Sequence, residues 1–182
     1  MIPALAIGFF AHDYIESHFT NPVTVSIALI FWGIVLIWLE RRHKEATIND
    51  VADLSLKMVL MIGLIQCIAM IPGTSRSAAT IIGAMLLGTS RVVAAEFSFF
   101  LAIPTMAAAS GYAFLKLLKS GVAIGGFEYL VLGVGFVVSF FVAYAVVAFL
   151  MRYITHHDFQ SFGYYRIVLG LLVLLYFGVV AQ

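Results

Sequence analysis

Met70–Thr80, MIPGTSRSAAT, decides how this chain folds, because it breaks an apolar run with Pro72-Gly73 and then sets Thr74, Ser75, Ser77 and Thr80 around Arg76. To its left runs MVLMIGLIQCIA from Met58, and to its right IIGAMLLG ending at Gly88. Proline removes a backbone donor and stops a helix, so the flanks are separate apolar pieces of about 14 and about 10 residues, each short of the roughly 17–20 that a helix needs to cross a bilayer. Two short half-helices meeting at a polar turn predict a re-entrant hairpin over about 58–88. Lipid cannot satisfy the N–H and C=O groups of such a turn, so it must line a cavity or be buried in protein.

The rest of the sequence supplies the membrane. Of 182 residues, 63% are hydrophobic and 10% charged, against about 45–50% and about 25% in soluble domains. Mean hydropathy is +1.09. An all-α integral membrane protein follows, a multi-span helical bundle, read as a single membrane domain over 1–182. Spans are expected at Val23–Leu39, Val92–Leu115, Tyr129–Leu150 and Tyr164–Val180, the first opened by the breakers Asn21 and Pro22. The N-terminal IPALAIGFFAHDYIESHF has no basic lead and no clear cleavage site, so it reads as part of a span rather than a signal peptide. A net charge of +1 excludes a strong draw toward nucleic acid. Cys67, the single cysteine, reads as a small buried hydrophobe.

Charge placement separates a hairpin from one kinked crossing. With the hairpin, Arg41, Arg42, Lys44, Lys57, Arg91, Arg152 and Arg166 share one side, leaving Lys116 and Lys119 on the other. A straight crossing divides them far more evenly. The positive-inside rule prefers the hairpin, with the Arg41 and Arg152 loops cytoplasmic and Gln182 outside. Arg152 and Arg166 border their spans and are expected to snorkel.

An arginine at membrane depth marks a functional site or a buried partner. Ser75 and Ser77 can cap the half-helix Ala78–Leu87, whose first N–H groups carry partial positive charge. Those groups, the hydroxyls of Thr74, Ser75, Ser77 and Thr80, and the Arg76 guanidinium form a donor set suited to phosphate or diphosphate. The alternative is structural: a turn, two caps, and Arg76 paired with Glu96, a carboxylate near the start of its span. The two are compatible, since Glu96 would also orient Arg76.

PGTSRSAAT resembles the PGxSRSxxT signature of bacterial undecaprenyl-diphosphate phosphatases of the bacitracin-resistance type. The resemblance runs through MIPALAIGFFAHDYIESHF, LIQCIAMIPGTSRSAATI, MLLGTSRVVAAEFSFFLAIP and YRIVLGLLVLLYF. It implies a multi-pass enzyme of the bacterial cytoplasmic membrane with inverted repeats, the hairpin here lying in one half. Such an enzyme hydrolyses a C55 isoprenyl diphosphate to the monophosphate, recycling the carrier for cell-wall polymers. Carried over by position, Ser75 and Arg76 match catalytic or phosphate-gripping residues, Ser77 and Thr80 supporting hydroxyls, and Gly73 the glycine that lets the backbone approach phosphate; Thr74 joins the phosphate-binding set. The family implies a divalent cation, magnesium or calcium.

The family's first motif, ExxxE followed by PxSSxxH, has no counterpart in this chain, so the expected metal-handling and proton-transferring groups are not among its residues. A carrier or flippase for a phosphorylated lipid is the competing class, since transporters also aim broken helices at anions. A general base with metal ligands beside the turn would separate the two. Other polar clusters read as surface: His12, Glu16 and His18 as an interfacial edge rather than a metal site, Thr155–Asp158 as a solvated loop, and Arg41–Lys44 as a membrane anchor. The expected partners are an isoprenyl diphosphate and membrane lipid; a homodimer is left open.

Overall fold

The structure, a computed structural model, describes residues 19–42, 46–120 and 125–180. The edge formed by His12, Glu16 and His18 lies outside them, as does Lys44. Among the described residues the chain is built of α-helices: α1 (Pro22–Arg41), α2 (Leu56–Ile65), α3 (Arg76–Leu86), α4 (Arg91–Lys119), α5 (Gly126–His156) and α6 (Gln160–Leu175). Local signals explain their starts. The Asn21 side chain accepts from the Thr24 N–H at 2.8 Å with Pro22 in the first turn, and Ser55, Ser75 and Ser90 each accept from the N–H three residues on.

Among the described residues four helices are long and apolar enough to cross a membrane: α1, α4, α5, and α6 with its extension to Gly178. The outer surface agrees. No residue of the apolar window of α5 is buried, and Phe136, Phe140, Phe141 and Phe149 stand more than half exposed. So continuous an apolar face is stable only away from water, and with four such helices this is a multi-pass membrane protein.

The seam that organises the bundle is α1 against α6, packed antiparallel. A side chain at Gly33 would stand 2.8 Å from the Gly163 carbonyl oxygen, one at Gly163 2.9 Å from that of Gly33, and one at Gly170 2.9 Å from the Ser26 carbonyl. Small residues let two backbones touch, which supplies packing where no hydrophobic force acts between helices in lipid. A second core lies beside this seam, where Leu36, Ile82, Ala95, Ile154 and Phe159 bring α1, α3, α4, α5 and α6 together.

Against that core sit the two short helices. α2 winds into a tighter turn over Gln66–Met70, the chain reverses at Pro72-Gly73, and α3 returns beside it. Entry and exit are tied at one level: the Thr47 and Ile48 N–H groups donate to the Gly88 carbonyl at 2.9 and 3.1 Å, and the Ser90 N–H to that of Ile48 at 2.9 Å. The two ends of the segment therefore lie together, as a re-entrant hairpin requires. Cysteines at Asn49 and Ser120 test this after Cys67→Ala. We expect an impermeant thiol reagent added outside intact cells to label position 120 and spare 49; equal labelling of both would reject the re-entrant topology.

Candidate functional site

The turn is held from two sides. Gly73 has φ of +89°, a conformation natural to glycine, and a side chain there would lie 2.5 Å from the Val25 carbonyl oxygen of α1. The Trp32 indole of α1 donates to the Thr74 hydroxyl at 3.0 Å. From α6, Arg166 Nη2 donates to the Gly73 carbonyl oxygen at 3.0 Å.

Ser75 caps α3, accepting from the Ala78 N–H at 3.3 Å and sharing a hydrogen bond of 2.9 Å with the Ser77 hydroxyl. Among the described residues the Arg76 and Ser77 N–H groups find no acceptor, as expected for the first turn of a helix. One turn further, the buried Thr80 hydroxyl meets that of Ser98 on α4 at 2.6 Å and bonds back to the Arg76 and Ser77 carbonyls.

A cavity of about 260 Å³ opens beside this turn. A single water needs only ~10–15 Å³ on the same measure, so the space accepts a ligand. Its polar end carries Ser75, Ser77, Ser98 and Arg166; Leu36, Ile81, Phe99, Leu150, Phe159 and Phe162 make most of the remaining wall apolar. This pairing of a hydroxyl-and-cation end with an apolar flank suits an amphipathic ligand with an anionic head.

Of the predicted residues, Ser75 and Ser77 face the cavity and Gly73 lies behind it. Thr74 is turned to Trp32 and Thr80 to Ser98, so their hydroxyls brace the turn. Arg76, half-buried in the first turn of α3, is not in the cavity wall, and neither is Glu96. No ion pair joins these two among the described residues. The reason is helical phase: Ser98 faces α3, and a residue two positions away points about 200° off.

Arg166 is the larger correction. It does not snorkel; it is 9% exposed, its Nε has no partner, and it joins Ser75 and Ser77 in the cavity wall. The one available signal was its setting in GYYRIVLG, where Gly163 and Gly170 mark a close-packed face and Arg166 shares the turn with Gly163. By contrast, Arg152 is exposed, Arg41 donates to the Tyr164 hydroxyl at 3.0 Å, and Arg42 stacks on Trp38 at 4.6 Å, as membrane-edge cations do. In the loop after α5, the His157 ring stacks on Tyr153 at 4.3 Å and Asp158 accepts from the Gln160 N–H, away from the cavity.

The donor set does not fit a divalent cation. Hydroxyls and a guanidinium line the cavity's polar end, and among the described residues no group of three His, Cys, Asp or Glu side chains could hold a metal.

Known proteins resemble this sequence. The family described as bacitracin resistance protein BacA matches residues 1–172. Undecaprenyl-diphosphatase 1 of Clostridioides difficile (strain 630) is 58% identical over 177 residues, which cover 97% of this chain and 64% of that protein. The undecaprenyl-diphosphatase of Enterococcus faecalis is 51% identical over 176 residues, 96% of this chain and 63% of the relative. The chain thus spans a little under two thirds of the length of these relatives. With a match over nearly its whole length and the signature turn set in a cavity wall, the chain belongs to the bacitracin resistance protein BacA family.

Proposed function

We propose that this chain contributes the phosphate-gripping part of an undecaprenyl-diphosphate phosphatase of the bacterial cytoplasmic membrane, which returns the lipid carrier of cell-wall synthesis to its monophosphate and thereby confers bacitracin resistance. The observation that carries this is the meeting of Ser75, Ser77 and Arg166 at the polar end of an otherwise apolar cavity. In the reaction a water oxygen bonds to the terminal phosphorus, the bridging P–O bond breaks, and the electron pair leaves on the lipid phosphate. The residues here would meet the phosphate charge: the Ser75 and Ser77 hydroxyls and the free N–H groups of the first turn of α3 bind its oxygens, while Arg166 and Arg76 offset charge. The apolar wall takes the isoprene units next to the diphosphate.

Water also needs a base or a metal, and the described cavity wall offers neither a carboxylate nor an imidazole. The hydroxyls and the guanidinium of this wall give magnesium or calcium no ligand set. The test is phosphate release from farnesyl diphosphate in detergent, with and without either cation. We expect the 182-residue chain to release little. Preceded by the N-terminal third of its Clostridioides difficile relative, it should turn over. Brisk turnover by the shorter chain would overturn this division of labour; none from either would favour a carrier.

A further inference from the structure

Three helix faces that line the cavity begin at one buried carboxylate. Glu40, in the last turn of α1, has a side chain only 1% exposed. It pairs with Arg91, the first residue of α4, whose Nε donates to its two oxygens at 3.0 and 2.8 Å. It also accepts from the backbone N–H of Phe159 at 3.1 Å, at the start of α6, a helix that has no side-chain cap of its own at that residue. From these points the cavity walls follow by helical spacing: Leu36 one turn back along α1, Ala95, Ser98 and Phe99 along α4 from Arg91, and Phe162 and Arg166 along α6 from Phe159.

We propose that Glu40 is a positioning residue of the diphosphate site, seating the N-terminus of α6 so that Arg166 reaches the turn. The working arm is the bond to Phe159; the ion pair with Arg91 serves to hold the carboxylate in place. Arg166 lies two turns from that bond, at the surface of a helix roughly 5–6 Å in radius. A rotation of α6 by about 20° would carry its side chain about 2 Å, enough to break the 3.0 Å contact with the Gly73 carbonyl. The Gly33–Gly163 approach sets how near α6 stands to α1, and a capped N-terminus sets how it is turned. A carboxylate at that end is also favoured by the helix dipole.

This rests on the diphosphate reading, and two variants test it separately. Glu40→Gln keeps an oxygen for the Phe159 N–H and loses the charge, leaving an Arg91 side chain that is 44% exposed and open to water. The double replacement Glu40→Met with Arg91→Met removes both charges together, which buried pairs often tolerate, and leaves the Phe159 N–H without an acceptor. Two quantities are read: amide exchange over residues 157–163, and binding of farnesyl diphosphate against farnesol. We expect Glu40→Gln to match the parent in exchange and to bind within about threefold. The double variant should exchange faster at Phe159 and bind the diphosphate about tenfold more weakly, with farnesol weakened far less, since apolar contacts are non-directional and tolerate a shift that breaks the bonds of Arg166. Unchanged exchange and affinity in the double variant overturn the proposal, as does an equal loss in Glu40→Gln, which would assign the effect to charge. Should the parent bind no diphosphate, the functional reading falls, while the exchange comparison still decides whether Glu40 seats α6.

Discussion

With Arg166 replaced by leucine, the protein is expected to lose diphosphate recognition while keeping its affinity for the apolar part of the ligand. Arg166 is the one cation in the cavity wall among the described residues, and its buried Nε has no hydrogen-bond partner. Removing a preorganised donor of this kind costs about 10²–10³ in turnover. In the protein extended at its N-terminus, kcat/KM for farnesyl diphosphate should fall by that order, whereas farnesol binding to either protein should hold within about twofold. The change also leaves the Gly73 carbonyl without its donor, at about 1–3 kcal/mol. Arg166→Lys separates these effects: it keeps the charge and can still reach a carbonyl, so stability should recover more than turnover, because one ammonium cannot serve the carbonyl and a phosphate in the same fixed fork. Full turnover in the leucine variant would remove Arg166 from the site.

The second large effect is expected at Gly73. Alanine there adds a methyl group 2.5 Å from the Val25 carbonyl oxygen and 2.8 Å from its Cα, in a backbone conformation that already costs a non-glycine residue about 1–2 kcal/mol. Neither obstacle is a flexible side chain, so the turn must lift off α1. That strains both the Trp32–Thr74 bond and the Arg166–Gly73 bond. Gly73→Ala should lower the Tm in detergent by several degrees, about 3 kcal/mol or more of destabilisation, and abolish diphosphate binding. Gly133→Ala, in open surroundings on α5, is the matched control and should be silent. A native Tm with intact binding for the Gly73 variant would show that the turn does not need its present seat.

These two residues also mark what can be read from sequence. Gly73 was legible, because Pro72-Gly73 inside an apolar run has few structural meanings, and the length rule then forces a hairpin. The capping serine and the four long helices were legible on the same footing: Ser75 precedes a helix, and apolar length fixes a span. Arg166 was not. A cation near the edge of an apolar run looks the same whether it rises to the interface or turns inward, and what turns it inward is the approach of Gly33 to Gly163, a contact between helices far apart in the chain. The place of Glu96 is equally illegible from sequence, since nearness in sequence to a buried face says nothing until the helix is phased. The bond between Glu40 and Phe159 is illegible too, as the carboxylate ends an ordinary apolar span and its partner is a backbone N–H, which carries no sequence mark at all.

The α1–α6 seam also imposes an order in time. The residues that meet across it, such as Glu40 and Phe159, lie 119 positions apart. At about 5–20 residues per second of synthesis, α1 stands in the bilayer for on the order of ten seconds before its partner exists. Until then the turn lacks the hydrogen bond from Arg166, and the cavity lacks one wall. Of the six helices described, α6 is made after the others and supplies that wall, so a ribosome stalled before Gln160 would leave a protein already inserted in the membrane yet unable to grip its ligand.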